Sequence, residues 1–179
     1  MEGAARLSLE VPVIETERLR LRRHRLDDFA ASVAMWADPI VTRYIGGKPF
    51  THEEVWARLL RYVGHWVLLG FGYWALEVKA TGEFVGELGF ADMKRDIQPS
   101  LEGLPELGWA LVSHAHGKGY ATEAVRAVVA WGDQRFGRAR TVCIIHPENG
   151  ASIRVAEKCG YQELQRTAYK KHEVILMGR

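Results

Sequence analysis

The sequence predicts a mixed α/β (α+β) fold in a single domain, 1–179, on three observations. Residues 106–131 run from an apolar strand through a glycine-rich turn into an amphipathic helix, and residues 141–158 repeat that order. Apolar segments at 73–78 and 83–91 flank a tight turn, which is typical of a β-hairpin. The chain has 179 residues, 47% of them hydrophobic, which is enough for one substantial core and leaves no room for a second domain.

The remaining elements follow from helix and strand signals. Asp27 and Thr51 are expected to begin the first two helices, because short polar side chains cap free N–H groups there. In chain order we expect a strand at 19–24, helices at 26–36 and 51–68, the hairpin with its turn at Thr81 and Gly82, a strand from Glu106, a helix ending at 135, a strand at 141–145, a helix from Asn149, and strands at 161–167 and 173–177.

Charge and cysteine content exclude several classes of function. A net charge of +2 is too small for an extended nucleic-acid footprint, and the arginine-rich stretch 18–25 is expected to be a solvated strand face. Cys143 and Cys159 fit neither a disulfide framework nor a zinc site, so we expect buried thiols. Because no apolar run suits a signal peptide or a membrane span, we expect a cytoplasmic protein that contacts no membrane.

The turn at 116–121, HGKGYA, has the composition of an anion cradle. Gly117 and Gly119 allow a tight turn and the close approach of a ligand, while the free N–H groups and positive end of the next helix favour a pyrophosphate. An ordinary turn without a ligand is the alternative. A Rossmann site would need a third glycine and an acidic residue about 20 positions on, and a Walker loop would need Gly-Lys-Ser/Thr. The sequence has neither.

Two motifs resemble those of the GNAT acetyltransferases. HGKGYA resembles their acyl-coenzyme A loop, which reads Gln or Arg, two residues, Gly, one residue, then Gly or Ala. The segment 146–161, HPENGASIRVAEKCGY, resembles the RimJ/RimL type of ribosomal-protein N-terminal acetyltransferase, through Asn149, Ser152, Arg154, Glu157, Lys158, Gly160 and Tyr161. The resemblance covers nearly the whole chain. It implies a mostly antiparallel sheet with a V-shaped splay between two central strands and helices on both faces.

The resemblance also implies acetyl-CoA, or coenzyme A, as co-substrate. His116 stands where the family has Gln or Arg, which leaves its contact with phosphate open, and backbone N–H groups near Leu111 and Val112 would polarise the thioester carbonyl. His114 and His116 lack a third ligand nearby, so we expect no metal. The expected cofactor-binding residues are Leu111, Val112, His116, Gly117, Lys118, Gly119, Tyr120, Ala121, Thr122 and Asn149.

Ser152 is the candidate general acid. Many GNAT enzymes carry a Tyr four residues before the glycine that ends this helix, and this chain has Ala156 there. One turn earlier, on the same helix face, is Ser152, whose hydroxyl could protonate the coenzyme A thiolate. The alternative is that Ser152 only supports the start of a helix that Asn149 caps.

Glu106 is the candidate general base. Strand alternation puts its side chain on one face with Gly108 and Ala110, where a carboxylate beside small residues suits a cleft. The alternative is a solvated carboxylate at a strand end. Weaker rivals for the base are Glu87, Glu102 and His172.

The amine acceptor stays open at this stage. The RimJ/RimL resemblance favours a protein N-terminal α-amine, whereas similar enzymes acetylate polyamines, aminoglycosides or amino-acid analogues. By the same resemblance, the acceptor site is formed by the helices between the first two strands and by the last hairpin. A non-catalytic acyl-CoA sensor is a further alternative, which the presence of Asn149 and Ser152 disfavours. Self-association as a homodimer, through a sheet edge or the first helices, is compatible with the sequence.

Overall fold

One eight-stranded sheet organises the chain. The structure is a computed structural model that describes residues 10–137 and 139–179. The strands are β1 (Ile14–Glu15), β2 (Leu19–Arg22), β3 (Tyr73–Val78), β4 (Phe84–Ala91), β5 (Glu106–Leu111), β6 (Val142–Ile145), β7 (Gln162–Tyr169) and β8 (His172–Gly178). The helices are α1 (Phe29–Ala37), α2 (Pro39–Thr42), α3 (His52–Leu69), α4 (Tyr120–Phe136) and α5 (Gly150–Lys158). The strand order is β1-β2-β3-β4-β5-β6-β8-β7.

The sheet is antiparallel except between β5 and β6, which confirms the predicted mixed α/β fold. Helices cover both faces. Leu107 and Leu111 of β5 join the core cluster that includes α4 and α5, whereas Ala110 joins the cluster formed with α1 and α2. Alternate residues of β5 therefore serve two separate cores, as the period of two in a strand requires. No helix of the described chain has the length and hydropathy to cross a membrane.

The sheet parts between its two parallel strands. Glu106 is in register with Val142, and the Val142 N–H donates to the Pro105 carbonyl at 3.1 Å. Beyond that pair, β5 stays on β4 as far as Leu111 while β6 stays on β8 as far as Ile145. The gap between them opens toward their carboxyl ends, which confirms the splay that the sequence resemblance implied.

The two helices predicted before the hairpin correspond to α1 and α3, and they begin differently from each other. Thr51 caps α3 as predicted: its hydroxyl accepts from the Glu54 N–H at 3.2 Å, and the Glu54 carboxylate accepts from the Thr51 N–H at 2.7 Å. The prediction that Asp27 starts the earlier helix is wrong. A single 3₁₀ turn, Leu26–Asp28, precedes α1, and it is Asp28 whose carboxylate accepts from the Arg25 N–H, at 2.7 Å.

Asp28 takes that place because it belongs to a buried ion cluster. Arg22 donates to both Asp28 oxygens at 2.8 Å and to Glu77 at 2.7 Å, and all three side chains are at most 10% exposed. Burial alone would raise the pKa of Asp28, but its hydrogen bonds from Arg22 and from the Arg25 N–H outweigh burial and lower that pKa. The cluster fastens the end of β2 to β3 and to the start of α1.

Replacing Arg22 tests the energetic weight of this cluster. Arg22→Met leaves the buried Asp28 without a cation and Glu77 with only its 3.3 Å contact to Arg20, so we expect the free energy of unfolding to fall by about 3–5 kcal/mol in urea titrations. The matched control is Arg23→Met at the next residue, whose side chain is exposed. That substitution should cost less than about 1 kcal/mol.

A pH series adds a second readout. Because the Asp28 pKa is lower in the folded chain than in the unfolded chain, its contribution to stability is present above the ordinary aspartate pKa of about 3.9 and is lost as the pH falls further. The wild type should therefore lose more stability than Arg22→Met between neutral and acidic pH. Equal losses in the two proteins would contradict the assignment.

Candidate functional site: the wedge between β5 and β6

The loop before α4 has the backbone of an anion cradle. Gly119 is the N-cap of α4 with φ of +80°, and Gly117 has φ of +75°, both in the left-handed region that favours glycine. A Cβ at Gly117 would meet no atom within 4 Å, so this side of the loop is open. The Gly119 carbonyl already accepts from the Glu123 N–H at 3.1 Å. The N–H groups of the first turn therefore point out of the helix toward any ligand.

Arg18, at the entrance to β2, clamps this loop. Its Nη1 donates to the Lys118 carbonyl at 2.9 Å, its Nε donates to the Glu123 carboxylate at 2.7 Å, and its guanidinium lies 4.7 Å from the centre of the Tyr120 ring. Glu123 also accepts from the Thr16 hydroxyl at 2.6 Å and from the Arg18 N–H at 2.9 Å. Because the Lys118 carbonyl is turned toward Arg18, the opposite side of the loop presents backbone N–H donors.

The edge of β5 supplies further backbone groups. The Val112 N–H donates to the Val85 carbonyl of the β4 segment at 3.0 Å. Since the hydrogen-bonding direction alternates along an antiparallel strand, the N–H and C=O of Leu111 point the other way, into the wedge. His116 Nε2 lies 2.9 Å from the Leu111 carbonyl. Of the two residues predicted to present an N–H to a thioester, Leu111 is the one whose N–H faces the gap.

A cleft of about 470 Å³ joins this edge to the cradle. All the predicted cofactor-binding residues line it except Val112 and Lys118. Two features of the cleft were not predicted: a second wall, from α2 and the turn after it, and the contribution of three basic side chains to the lining. The lining residues not predicted as cofactor-binding are Ile40, Val41, Arg43, Tyr44, Ile45, Trp109, Ala110, Ala115, Ala151, Ser152, Arg154, Val155 and Lys158.

The basic side chains suit a phosphorylated ligand. Arg154 and Lys158 are four residues apart, and therefore on one face of α5, and Arg43 reaches the cleft from the opposite wall. Together with the glycine cradle they place positive charge around the open space beside Gly117, where a Cβ would meet no atom within 4 Å. These residues fit the pyrophosphate and pantetheine arm of coenzyme A. The spacing of Arg154 and Lys158 is visible in the sequence and could have been recognised there.

Asn149 and Ser152 stand at the start of α5, where the cleft meets a second cavity. The Asn149 side chain accepts from the Ser152 N–H at 3.1 Å and so caps the helix, as one alternative in the sequence analysis expected. Both residues line both cavities. Ala156, one turn further, is fully buried in the core, so this helix presents its polar contact to the wedge at Ser152.

The second cavity, of about 130 Å³, lies at the narrow part of the wedge. Tyr44, Ile45, Trp109 and Ala110 line it together with the cleft, so the two spaces adjoin. Its other walls are Trp36, Tyr73, Arg95, Glu106, Leu107, Gly108, Cys143, Ile144, Ile145 and His146. We name it the acceptor cavity, because an amine placed there would face a thioester held in the cleft.

Glu106 forms one wall of the acceptor cavity with Arg95. The side chains meet as a bidentate pair, with Arg95 Nε and Nη2 each 2.6 Å from a Glu106 oxygen. Burial would lower the pKa of Arg95, but the hydrogen bonds and charge of Glu106 outweigh it and raise that pKa. Glu106 is only 6% exposed, so the alternative of a solvated strand end is wrong. On the far side, the pair also lines another polar cavity of about 200 Å³ under the loop before β5.

Aromatic contacts fix the other walls. The Tyr44 ring lies 5.2 Å from that of His146, across the wedge from α5. A Cβ at Gly108 would collide with the Tyr73 hydroxyl, so glycine is needed on β5 for Tyr73 to reach the cavity. Trp36 donates its indole N–H to Glu87 at 2.9 Å. That bond makes Glu87 a buried support for the wall, where it also accepts from the Tyr62 hydroxyl.

The other candidates lie apart from this junction. Glu102 lines the cavity under the loop before β5, and His172 opens β8 as an exposed residue. His114 pairs with Glu83 at 2.8 Å. Across residues 10–137 and 139–179, no group of three His, Cys, Asp or Glu side chains is arranged to hold a metal ion.

The chain is similar to known proteins over most of its length. The sequence pattern of a family described as "Acetyltransferase (GNAT) domain" matches residues 18–162, which is most of the chain. The chain belongs to the GNAT acetyltransferase family. The "Uncharacterized N-acetyltransferase p20" of Bacillus licheniformis is 30% identical over 83% of this chain and 81% of its own. The GNAT resemblance seen in the two motifs is thereby confirmed.

Solved structures agree with the family assignment. A protein of Bordetella pertussis described as a GNAT-family acetyltransferase superposes with a TM-score of 0.83 at 31% identity, over 94% of this chain and 99% of its own. Two more distant structures contain coenzyme A, and their likeness concerns the fold. They are a RimL ribosomal L7/L12 α-N-protein acetyltransferase, with a TM-score of 0.75 at 16% identity over 94% of this chain and 97% of its own, and the aminoglycoside acetyltransferase AAC(6')-Ib, with 0.73 at 18% over 90% and 94%.

The Arg18 clamp yields a test of the GNAT cradle. Arg18→Met releases the Lys118 carbonyl and removes the ion pair with Glu123, so the loop loses its preset geometry. We expect the coenzyme A Kd in calorimetry to rise about 10-fold, the effect of one lost charge-assisted hydrogen bond of roughly 1.5 kcal/mol. The control is Arg23→Met, at an exposed arginine directly after β2, and it should bind coenzyme A as the wild type does.

Comparing two thioesters distinguishes an effect of Arg18→Met on the cradle loop from a general disruption of the binding site. Acetyl-N-acetylcysteamine lacks the nucleotide and pyrophosphate, so Arg18→Met should leave its binding at the wedge unaffected. Equal weakening toward both thioesters would contradict a role confined to the loop.

Proposed function

We propose that this GNAT acetyltransferase acetylates a protein N-terminal α-amine, with acetyl-CoA as donor and the cytoplasm as the compartment. The observation that carries the proposal is the charge balance of the acceptor cavity. Of its described lining residues two bear a full charge, Arg95 and Glu106, and they neutralise each other. The remaining lining is aromatic, aliphatic or neutral polar, apart from His146.

Such a lining suits an acceptor with one positive group. Polyamines and aminoglycosides carry several cationic amines, and each would need a carboxylate or lose its hydration without compensation. A peptide N-terminus carries one ammonium, followed by amides that can bond to the free strand edge of β5. The neutral aromatic walls therefore support a single α-amine beside a short or small first side chain.

The reaction needs three groups from this chain: a donor to the thioester carbonyl, a base and an acid. Acetyl-CoA, when bound, supplies the thioester carbonyl that the amine attacks. The Leu111 N–H, facing the wedge, is our candidate donor to that carbonyl oxygen, where a backbone dipole stabilises developing charge. Glu106 is the proposed base, since each of its oxygens retains a free lone pair beside the bond from Arg95 and can receive the ammonium proton directly or through water.

Ser152 is the proposed acid. Its membership in the walls of both cavities supports a place beside the sulfur that leaves, and its backbone N–H is fixed by Asn149. The hydroxyl would give its proton to that sulfur as the amide forms. A sensor without chemistry is the second candidate function, favoured only by the extensive pairing of Glu106 with Arg95.

Variants at the two residues test these roles. We expect Ser152→Ala and Glu106→Gln each to lower kcat on the order of 10²-fold while the coenzyme A Kd changes by less than about 2-fold. Ser100→Ala and Glu83→Gln, at exposed sites, are the matched controls. For Glu106→Gln, the limb of the kcat/KM profile that reports the base should also disappear. An unchanged kcat in either variant would remove that residue from the mechanism.

The acceptor is tested by thiol release from acetyl-CoA against a panel. The panel holds peptides with free N-termini, the same peptides with a blocked N-terminus and a free lysine, polyamines, aminoglycosides and single amino acids. Turnover with free N-termini alone is the expected result. Turnover with polyamines or aminoglycosides would overturn the acceptor proposal, and coenzyme A binding without turnover on any amine would favour the sensor.

A further inference from the structure

The outer face of α3 is apolar. Ten large hydrophobic side chains of the described chain are substantially exposed, and six of them belong to this one helix. They are Trp56, Leu60, Val63, Val67, Leu68 and Leu69, with exposed fractions from 37% to 81%. Scattered exposed hydrophobics are ordinary, but a concentration on one helix marks an interaction surface.

Four of the six form a continuous stripe. Trp56, Leu60, Val63 and Val67 are spaced by four, three and four residues, which is the a/d spacing of helices that pair side by side. The residues through which the same helix packs into the core, Val55, Leu59, Tyr62 and Trp66, lie about 100° around the helix axis from the stripe. The stripe therefore extends the apolar surface of α3 beyond the part that the fold buries.

The stripe is self-complementary under a two-fold rotation. A dyad midway between residues 61 and 62 pairs Leu60 with Val63 of another copy and Trp56 with Val67, in an antiparallel arrangement. Both pairings come from one axis, as an isologous interface requires. Ala57 and Gly64 flank the stripe and keep side chains short where two backbones would approach.

Charge supports the same arrangement. The dyad sets Glu53, exposed in the first turn of α3, opposite position 70 of the other copy. Arg135 stands at that position, because its Nη2 lies 3.1 Å from where a Cβ of Gly70 would be. Neither Glu53 nor Arg135 forms an ion pair within residues 10–137 and 139–179. The acidic and basic ends of the face would thus meet twice across the dyad.

We propose that this face binds a second copy of the chain through antiparallel α3–α3 packing. A membrane surface is the less suitable occupant, since interfacial helices are rich in lysines and arginines along the polar edge, whereas α3 begins with Glu53 and Glu54 and its basic residues are the half-buried Arg58 and the exposed Arg61. The proposal is independent of the acceptor and of catalysis. An interface centred on one helix pair is small, so we expect a dimer that forms with rising concentration.

Sedimentation of the full chain over a concentration series tests the proposal. We expect the wild type to approach twice the monomer mass and Leu60→Lys to remain a monomer, with equal melting temperatures at concentrations low enough for both to be monomers. Leu164→Lys, at a leucine of similar exposure on β7, is the matched control and should dimerise as the wild type does. A monomeric wild type, or a Leu60→Lys variant that still dimerises, would overturn the proposal.

A charge swap tests the register. Glu53→Arg and Arg135→Glu should each raise the dimer Kd about 3-fold to 10-fold, and the double variant should restore it toward the wild-type value. Additive weakening in the double variant would refute the antiparallel pairing. A monomeric wild type that sediments with phosphatidylglycerol vesicles would assign the face to a membrane, and dimerisation only after removal of residues 1–9 would assign it to the start of the chain. Both results would overturn the proposal.

Discussion

Every part of the site depends on the parting of β5 from β6. Strands in a sheet satisfy each other's backbone groups, and here the two central strands share register at Glu106 and Val142 and then follow different neighbours. The inner edge of β5 is left with polar backbone groups that need a partner. A ligand with its own amides can take the place of the missing strand. The GNAT fold thus turns an interruption in its sheet into a binding slot.

The walls of this slot come from distant parts of the chain. The cradle is local to the loop before α4, but Arg18 holds it from 100 residues earlier, and Tyr44 closes the cleft from the segment after α2. Thr16, Arg18 and Glu123 form a small hydrogen-bonded unit that sets the loop before any ligand arrives. Preset donors bind phosphate more tightly than mobile ones, because less ordering has to accompany binding.

The sequence predicted the local parts of this design and missed the assembled ones. Glycine spacing predicted the left-handed backbone of the loop before α4, since that conformation is encoded within a few residues, and Thr51 predicted the start of α3 as a short polar N-cap residue. No local sequence pattern distinguishes Arg18 or Arg95. Arg18 is one of several arginines in a stretch expected to be a solvated strand face, and Arg95 contacts Glu106 only when the loop before β5 folds. The expected start at Asp27 was wrong because Asp28 is held by the buried Arg22, and no local sequence pattern shows that contact.

The ion pair of Arg95 and Glu106 also stands between two cavities. It separates the acceptor cavity, of about 130 Å³, from the polar cavity of about 200 Å³ behind it. Both residues line both cavities, so substitutions that shorten their side chains are expected to enlarge the acceptor cavity toward the polar one. If the amine binds where we propose, its permitted size would then depend on this one ion pair.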